Sequence, residues 1–249
     1  MDIPELVIDG ALARIMLRRP EQANRLEPAD LAALQAHIDT VNARPEVLAL
    51  RIEAQGKYFC SGYDLTRIGQ PRGVPFEEVV NSLENARPVT VAVIQGGVYG
   101  GATDLSLACD FRLGVRGIDM FMPAARLGLH FYRSGLERYV SRLGLNNAKR
   151  LFLTAERVDA QTLKEMGFLT HLLDDAQQLN ATADALTQTI CAMAPLPLVS
   201  MKKHLNRIAR HMLDADELRR DIVQAVDSDD LREGQAAWAE KRKPRFTGR

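Results

Sequence analysis

Two segments carry residue types and spacing suited to chemistry: Lys57-Tyr-Phe-Cys-Ser-Gly-Tyr-Asp-Leu65 and Gly96-Gly-Val-Tyr-Gly-Gly-Ala-Thr-Asp-Leu105. Each follows an apolar, β-rich run, at residues 48–52 and 89–94, so each reads as a strand ending in a turn whose small residues leave backbone N–H groups free. The second turn runs into Ala102-Thr-Asp-Leu-Ser-Leu-Ala108, a good helix start, which sets the N–H of Gly101 at the positive end of a helix dipole. Two such N–H groups aimed at one point would hold a carbonyl oxygen as it becomes an oxyanion, the demand made by chemistry on a thioester enolate. Asp104 lies in the first turn of the same helix. Its carboxylate there favours the dipole with no catalytic reason needed. Within reach of a substrate it would serve as general base or acid.

The elements that position these turns read as follows. Leu6-Val-Ile8 and Leu12-Ala-Arg-Ile-Met-Leu17 flank Asp9-Gly10 and predict a tight hairpin. Residues 27–42 have helical spacing, with Leu31, Leu34, Ile38 and Val41 on one face. Strand, turn and helix then recur through residues 48–52, 89–94 and 111–115. Residues 68–75 contain two Gly and two Pro and predict a mobile loop that covers whatever binds beside Ser61-Gly62. From about residue 180 strand signals vanish: residues 181–194, 198–213, 217–226 and 230–241 read as helices, with Pro195-Leu-Pro197 between the first two.

The chain has 249 residues, 46% of them hydrophobic, enough for a sizeable core in one large domain or one domain with an appendage. Lys+Arg and Asp+Glu both total 32, so net charge points neither to nucleic acid nor to a membrane surface. Cys60, Cys109 and Cys191 are odd in number and widely spaced, which suits a reducing compartment and offers no metal-ligand spacing. The N-terminus lacks a basic, apolar leader and no stretch reaches transmembrane length, so a cytoplasmic protein is expected.

At these residues the sequence resembles the crotonase, or enoyl-CoA hydratase/isomerase, superfamily. Besides the two turns, the resemblance runs through Arg19-Pro-Glu-Gln-Ala-Asn-Arg-Leu26, Asp110-Phe-Arg112, Arg126-Leu-Gly-Leu129, Leu151-Phe-Leu-Thr154 and the tail Glu240-Lys-Arg-Lys-Pro-Arg-Phe246. It implies an α/β fold, a spiral of β-β-α turns over residues 1–192 with the acyl-CoA site, and a helical C-terminal region over 193–249 that mediates trimer or dimer-of-trimers packing. It assigns the two oxyanion donors to the backbone of Ser61 and Gly101. For the CoA thioester it implies contacts from Arg25 and Leu26 at the adenine end, from Lys57, Gly62, Asp64 and Leu65 around the first turn, from Trp238 near the pantetheine or acyl chain, and from Lys241 at a phosphate. CoA enters as part of the substrate, with no separate cofactor or metal.

The catalytic positions depart from that family. Asp104 stands where hydratases carry Glu, which removes about 1.5 Å of reach, and a misplacement of about 1 Å can cost on the order of 10²-fold in rate. Dienoyl-CoA isomerases carry Asp at this place. Ala124, after Pro123, stands where the second Glu belongs. His130-Phe-Tyr132-Arg133 replaces a Pro-Gly-rich turn on the loop that lines the acyl pocket in relatives. There His130 would titrate near neutrality and Tyr132 would donate to a substrate carboxylate or carbonyl; packed or capping roles account equally for each. The resulting expectation is hydratase/isomerase-type enolate chemistry using Ser61, Gly101, Asp104 and His130 or Tyr132. The alternatives are an acyl-CoA decarboxylase or C–C hydrolase, and a non-catalytic acyl-CoA binder.

Overall fold

A two-residue turn at Gly10-Ala11, one position beyond the expected Asp9-Gly10, closes a hairpin in which β1 (Glu5–Asp9) pairs antiparallel with β2 (Leu12–Leu17), Leu6 opposite Ile15. Ala13, Ile15 and Leu17 alternate along β2 and are buried, the period-two pattern of a strand with one face on the core. The computed structural model describes residues 2–67, 69 and 73–249, so half of the loop expected over residues 68–75 lies outside the described residues.

β3 (Ala49–Ala54) and β4 (Val89–Ile94) extend the sheet in parallel. β4 is buried at all six positions, as a central parallel strand covered on both faces must be. The short β5 (Val98–Tyr99) leaves this sheet, and β6 (Phe111–Val115) rejoins it beside β4. β7 (Asp119–Phe121) and β8 (Val158–Asp159) join β5 in a second, three-stranded sheet. β9 (His171–Leu173) closes the first, whose order is β1-β2-β3-β4-β6-β9.

α1 (Pro28–Asn42) opens with a capping box between Glu27 and Asp30 and buries Leu31, Leu34, Ile38 and Val41, the face its spacing predicts. α2 (Phe76–Glu84) and α3 (Gly101–Ala108) pack together, and α4 (Arg133–Leu143) packs on both. α5 (Leu145–Thr154) and α6 (Ala160–Glu165) follow, and α7 (Ala176–Cys191) lies on the sheet. α8 (Pro195–Ala209), α9 (Ala215–Val226) and α10 (Asp229–Ala239) make the C-terminal region helical throughout, as expected. Pro195-Leu-Pro197 forms the first turn of α8 rather than a break before it, because the first helical N–H groups need no acceptor within the helix. No helix among the described residues is long and apolar enough to cross a membrane.

Candidate active site

Three distant segments converge at the N-terminus of α3. The first turn runs beside β5, with Phe59 N–H donating to Gly97 C=O (3.1 Å) and Tyr99 N–H to Cys60 C=O (3.0 Å). The segment ending at Leu26 laces onto its other side: Leu26 N–H donates to Gly62 C=O (2.8 Å) and Asp64 N–H to Leu26 C=O (2.9 Å). Gly62 has φ +94°, and a Cβ there would stand 2.7 Å from Tyr99 C=O and 3.0 Å from Gly101 N. Glycine alone lets the two turns approach this closely.

This lacing occupies one expected donor. Ser61 N–H is consumed by Ala23 C=O at 2.9 Å, so Ser61 does not present a free donor. Among the described residues the N–H groups of Tyr63 and Gly101 have no hydrogen-bond partner. Gly101 is the first residue of α3, where an unpaired N–H and the helix dipole coincide. Unpaired N–H groups therefore remain at Tyr63, two residues along from the expected first donor, and at Gly101. The Phe76 ring packs against Gly101, where a Cβ would lie 2.8 Å from it, and its centroid is 6.0 Å from that of the Tyr63 ring and 6.3 Å from that of the Tyr132 ring.

Asp104 follows Gly101 on the same helical face and has no exposed surface. Its Oδ2 accepts from Tyr132 Oη at 2.5 Å and from Arg138 Nη1 at 2.5 Å, while Oδ1 is buried without a partner. Arg138, also fully buried, sets its Nε 3.0 Å from Glu84 Oε1. Burial pushes the Asp104 carboxyl above its ordinary range, with Arg138 and Tyr132 working against it. Burial and the neighbouring Asp104 carboxylate push the Tyr132 hydroxyl far up, so the phenol keeps its proton and acts as a donor. Burial alone would raise Glu84 too, but Arg138, Arg142 and Arg210 hold it below the usual carboxylate range.

Residues 8–249 match the enoyl-CoA hydratase/isomerase family. The chain belongs to that family. It is 32% identical over 223 residues to the enoyl-CoA isomerase/hydratase fer4 of Mycosarcoma maydis, covering 82% of this chain and 77% of that protein. It is 26% identical over 257 residues to the methylmalonyl-CoA decarboxylase of Escherichia coli K12, covering 98% and 97%. The crystal structure of an enoyl-CoA hydratase/carnithine racemase from Magnetospirillum magneticum superposes with TM-score 0.92 at 23% identity, covering 100% and 97%, which establishes the crotonase-type fold.

Against that family frame, the remaining expected residues divide. His130 is exposed and its Nδ1 lies 2.7 Å from Phe131 C=O, outside the Asp104 cluster. Ala124 is 4% exposed and belongs to the apolar core, so no acid faces the site from there. Asp64 accepts from Thr66 N–H and Oγ1, which holds its carboxyl low and marks it as the cap of its own turn. Leu26 is buried and contributes backbone pairing to the first turn. Arg25 is partly exposed, 3.0 Å from Glu27 and 3.8 Å from Asp64. Leu65 is exposed on the turn's outer side, and Lys57 lies 5.3 Å over the Tyr58 ring. Trp238 is 88% exposed on α10 and Lys241 is exposed beyond it, so neither joins the cluster around Asp104. Cys60 and Cys109 are buried, with thiols pushed up to about 12 by burial, which disfavours a thiolate nucleophile.

Tyr63, Arg138 and Glu84 are the residues the sequence reading missed. Tyr63 is two positions beyond Ser61 in the same motif, and its assignment needs the long-range bond to Ala23. Arg138 and Glu84 carried no local signal.

Proposed function

We propose that the chain binds an acyl-CoA thioester with its carbonyl oxygen between the N–H groups of Tyr63 and Gly101, and that these donors stabilise the enolate. The observation that carries the reading is this pair of unpartnered N–H groups at the start of α3, one helical turn from a buried carboxylate. Proton movement at the α carbon falls to Tyr132 backed by Asp104. As the phenol oxygen takes a proton from carbon, its own proton passes to Asp104 Oδ2, and the return step reverses both transfers. One such pair suits a 1,3 proton shift. Water addition needs a second proton-handling group, and Ala124 offers none.

A second reading, decarboxylation of an α-carboxyacyl-CoA, is favoured by the Arg138 contact, which spends Asp104's basicity at 2.5 Å. There the C–C bond to the carboxylate breaks, carbon dioxide leaves, and the electron pair forms the same enolate, which Tyr132 then protonates. No base is required.

Proton NMR in deuterium oxide separates the cases. Exchange of α protons on butyryl-CoA, together with shifting of a 3-enoyl-CoA double bond, supports the first reading. Carbon dioxide release from methylmalonyl-CoA supports the second. Binding with neither would leave a non-catalytic acyl-CoA binder.

The same proposal includes no resident cofactor or metal, and places the protein in the cytoplasm in keeping with its three unpaired cysteines. It also includes a homotrimer, or a dimer of trimers, built through residues 193–249. Met201, Leu205, Ile208, Ile222 and Val226 stand exposed on α8 and α9, an apolar face that a second copy would cover.

A further inference from the structure

Asp104 is not simply a buried acid. It is the inner end of a chain of charges that crosses the protein from the site to the end of α8. Arg138 contacts Asp104 Oδ2 through Nη1, Glu84 through Nε, and Asn81 Oδ1 through Nη2 at 2.9 Å. Glu84 in turn receives Arg142 Nη2 at 3.4 Å and Arg210 Nη2. Arg210 is the residue that ends α8, and its Nη1 also bonds Ser134 C=O at 2.9 Å and Glu137 at 3.0 Å. Arg138, Asp104 and Glu84 are all buried, so solvent screens these charges little.

We infer that Arg138 and Glu84 are positioning residues that act with opposite sign on the Asp104–Tyr132 pair, and that Arg210 anchors them to the C-terminal helices. The inference rests on the proton-transfer role proposed for that pair. Arg138 holds one carboxylate oxygen of Asp104 beside the Tyr132 hydroxyl and favours its ionised form. Glu84 stands behind Arg138, shares its charge and disfavours that form. The groups facing Asp104 are Arg138, Tyr132 and Tyr139 from α4 and its start, and Glu84 from α2. Those facing Glu84 are Arg138 and Arg142 from α4, and Arg210 from the end of α8. The geometry at Asp104 fits this reading, because Arg138 and Tyr132 converge on Oδ2, the oxygen that exchanges the proton, while Oδ1 has no donor of its own.

The sign test is electrostatic. In Arg138→Met the desolvated Asp104 loses its cation and its carboxyl rises. In Glu84→Gln the cation serves Asp104 alone and the carboxyl falls. Shifts of about one pH unit or more are the scale for a charge this close. The experiment follows the Asp104 carboxyl by carbon-13 NMR in the full chain without substrate, assigned by loss of its resonance in Asp104→Asn. It then compares the acidic limb of the pH–rate profile on whichever acyl-CoA is turned over. Opposite shifts in the two variants, with partial recovery in Arg138→Lys, support the inference. Shifts of the same sign, or none, overturn it, since a merely structural role would lower activity without reversing the direction. If Arg138→Met does not fold, Glu84→Gln and Arg210→Gln decide alone. Glu84→Gln must lower the carboxyl, and Arg210→Gln, by leaving Glu84 less compensated, must not. Opposed NMR shifts with no acyl-CoA turnover would sink the proposed reaction and leave this electrostatic assignment standing.

Discussion

Arg138 and Asp104 form an ion pair 2.5 Å apart in which neither side chain has exposed surface. Such a pair is weak evidence for stability as built, but removing one member strands the other charge. Asp104→Leu should therefore cost about 3–5 kcal/mol in urea unfolding. A loss under 1 kcal/mol would mean that the guanidinium relaxes onto Glu84 and Asn81 without penalty.

The Tyr132 hydroxyl tests proton transfer more directly. Tyr132→Phe keeps the ring against Phe76 and Phe131 and deletes only the donor to Asp104. Activity should fall by about 10²–10⁴-fold, the range for one positioned acid or base. Near-normal turnover would transfer the role to a group outside this pair.

Gly101 is testable by comparing two substitutions. Both Ala and Pro add a Cβ toward the Phe76 ring, but only Pro deletes the N–H. Gly101→Pro should lose about 10²-fold or more relative to Gly101→Ala, the effect of one missing oxyanion donor. Equal activities would remove Gly101 from the carbonyl site.

Hydration of crotonyl-CoA should be poor. With an alanine in the core at position 124, the wild type should fall short of a hydratase with both groups by about 10²–10⁴-fold. Ordinary hydratase rates would show that another group activates water.

How much of this was visible in the sequence depends on the range of the interactions involved. The hairpin, β4, β6 and the buried face of α1 follow from alternation, turn residues and helical spacing, all local properties. The two glycine turns were legible for the same reason. Which N–H stays free was not: Ser61 is removed by a bond to Ala23, 38 positions earlier, and that leaves Tyr63. Glu84 and Arg138 are likewise 54 positions apart, so their pairing has no periodic signature. The exposure of Trp238 and Lys241 was equally beyond reach, because it depends on how α10 packs on α9.

Acid should loosen the C-terminal helices before the core. Glu217 and Asp221 on α9 receive Lys203 of α8, and each carboxyl is held down to about 2, chiefly by the Lys203 hydrogen bond. A depressed folded value means the contribution is complete above the ordinary carboxylate range and is lost as pH falls through about 2. Circular dichroism and protease susceptibility of α8–α9 should change between about pH 4.5 and 2, and Lys203→Met should blunt the change. Indifference to acid in that window would remove the clamp.

Assembly is read by light scattering. A mass in multiples of three chains is expected, and Ile222→Asp with Leu205→Asp should lower it. A concentration-independent monomer would overturn the trimer.

The lacing of residues 23–26 onto residues 61–64, and of both onto residues 99–101, has a consequence for biogenesis. No two of these segments define the carbonyl site alone: Ala23 must claim Ser61, and Gly62 must reach Gly101. Their closure also requires the intervening strands β3 and β4 to be in register. A nascent or partly unfolded chain therefore carries every residue of the site and none of its affinity. Thioester binding becomes a direct readout of completed topology, and a ligand held there stabilises only the finished fold.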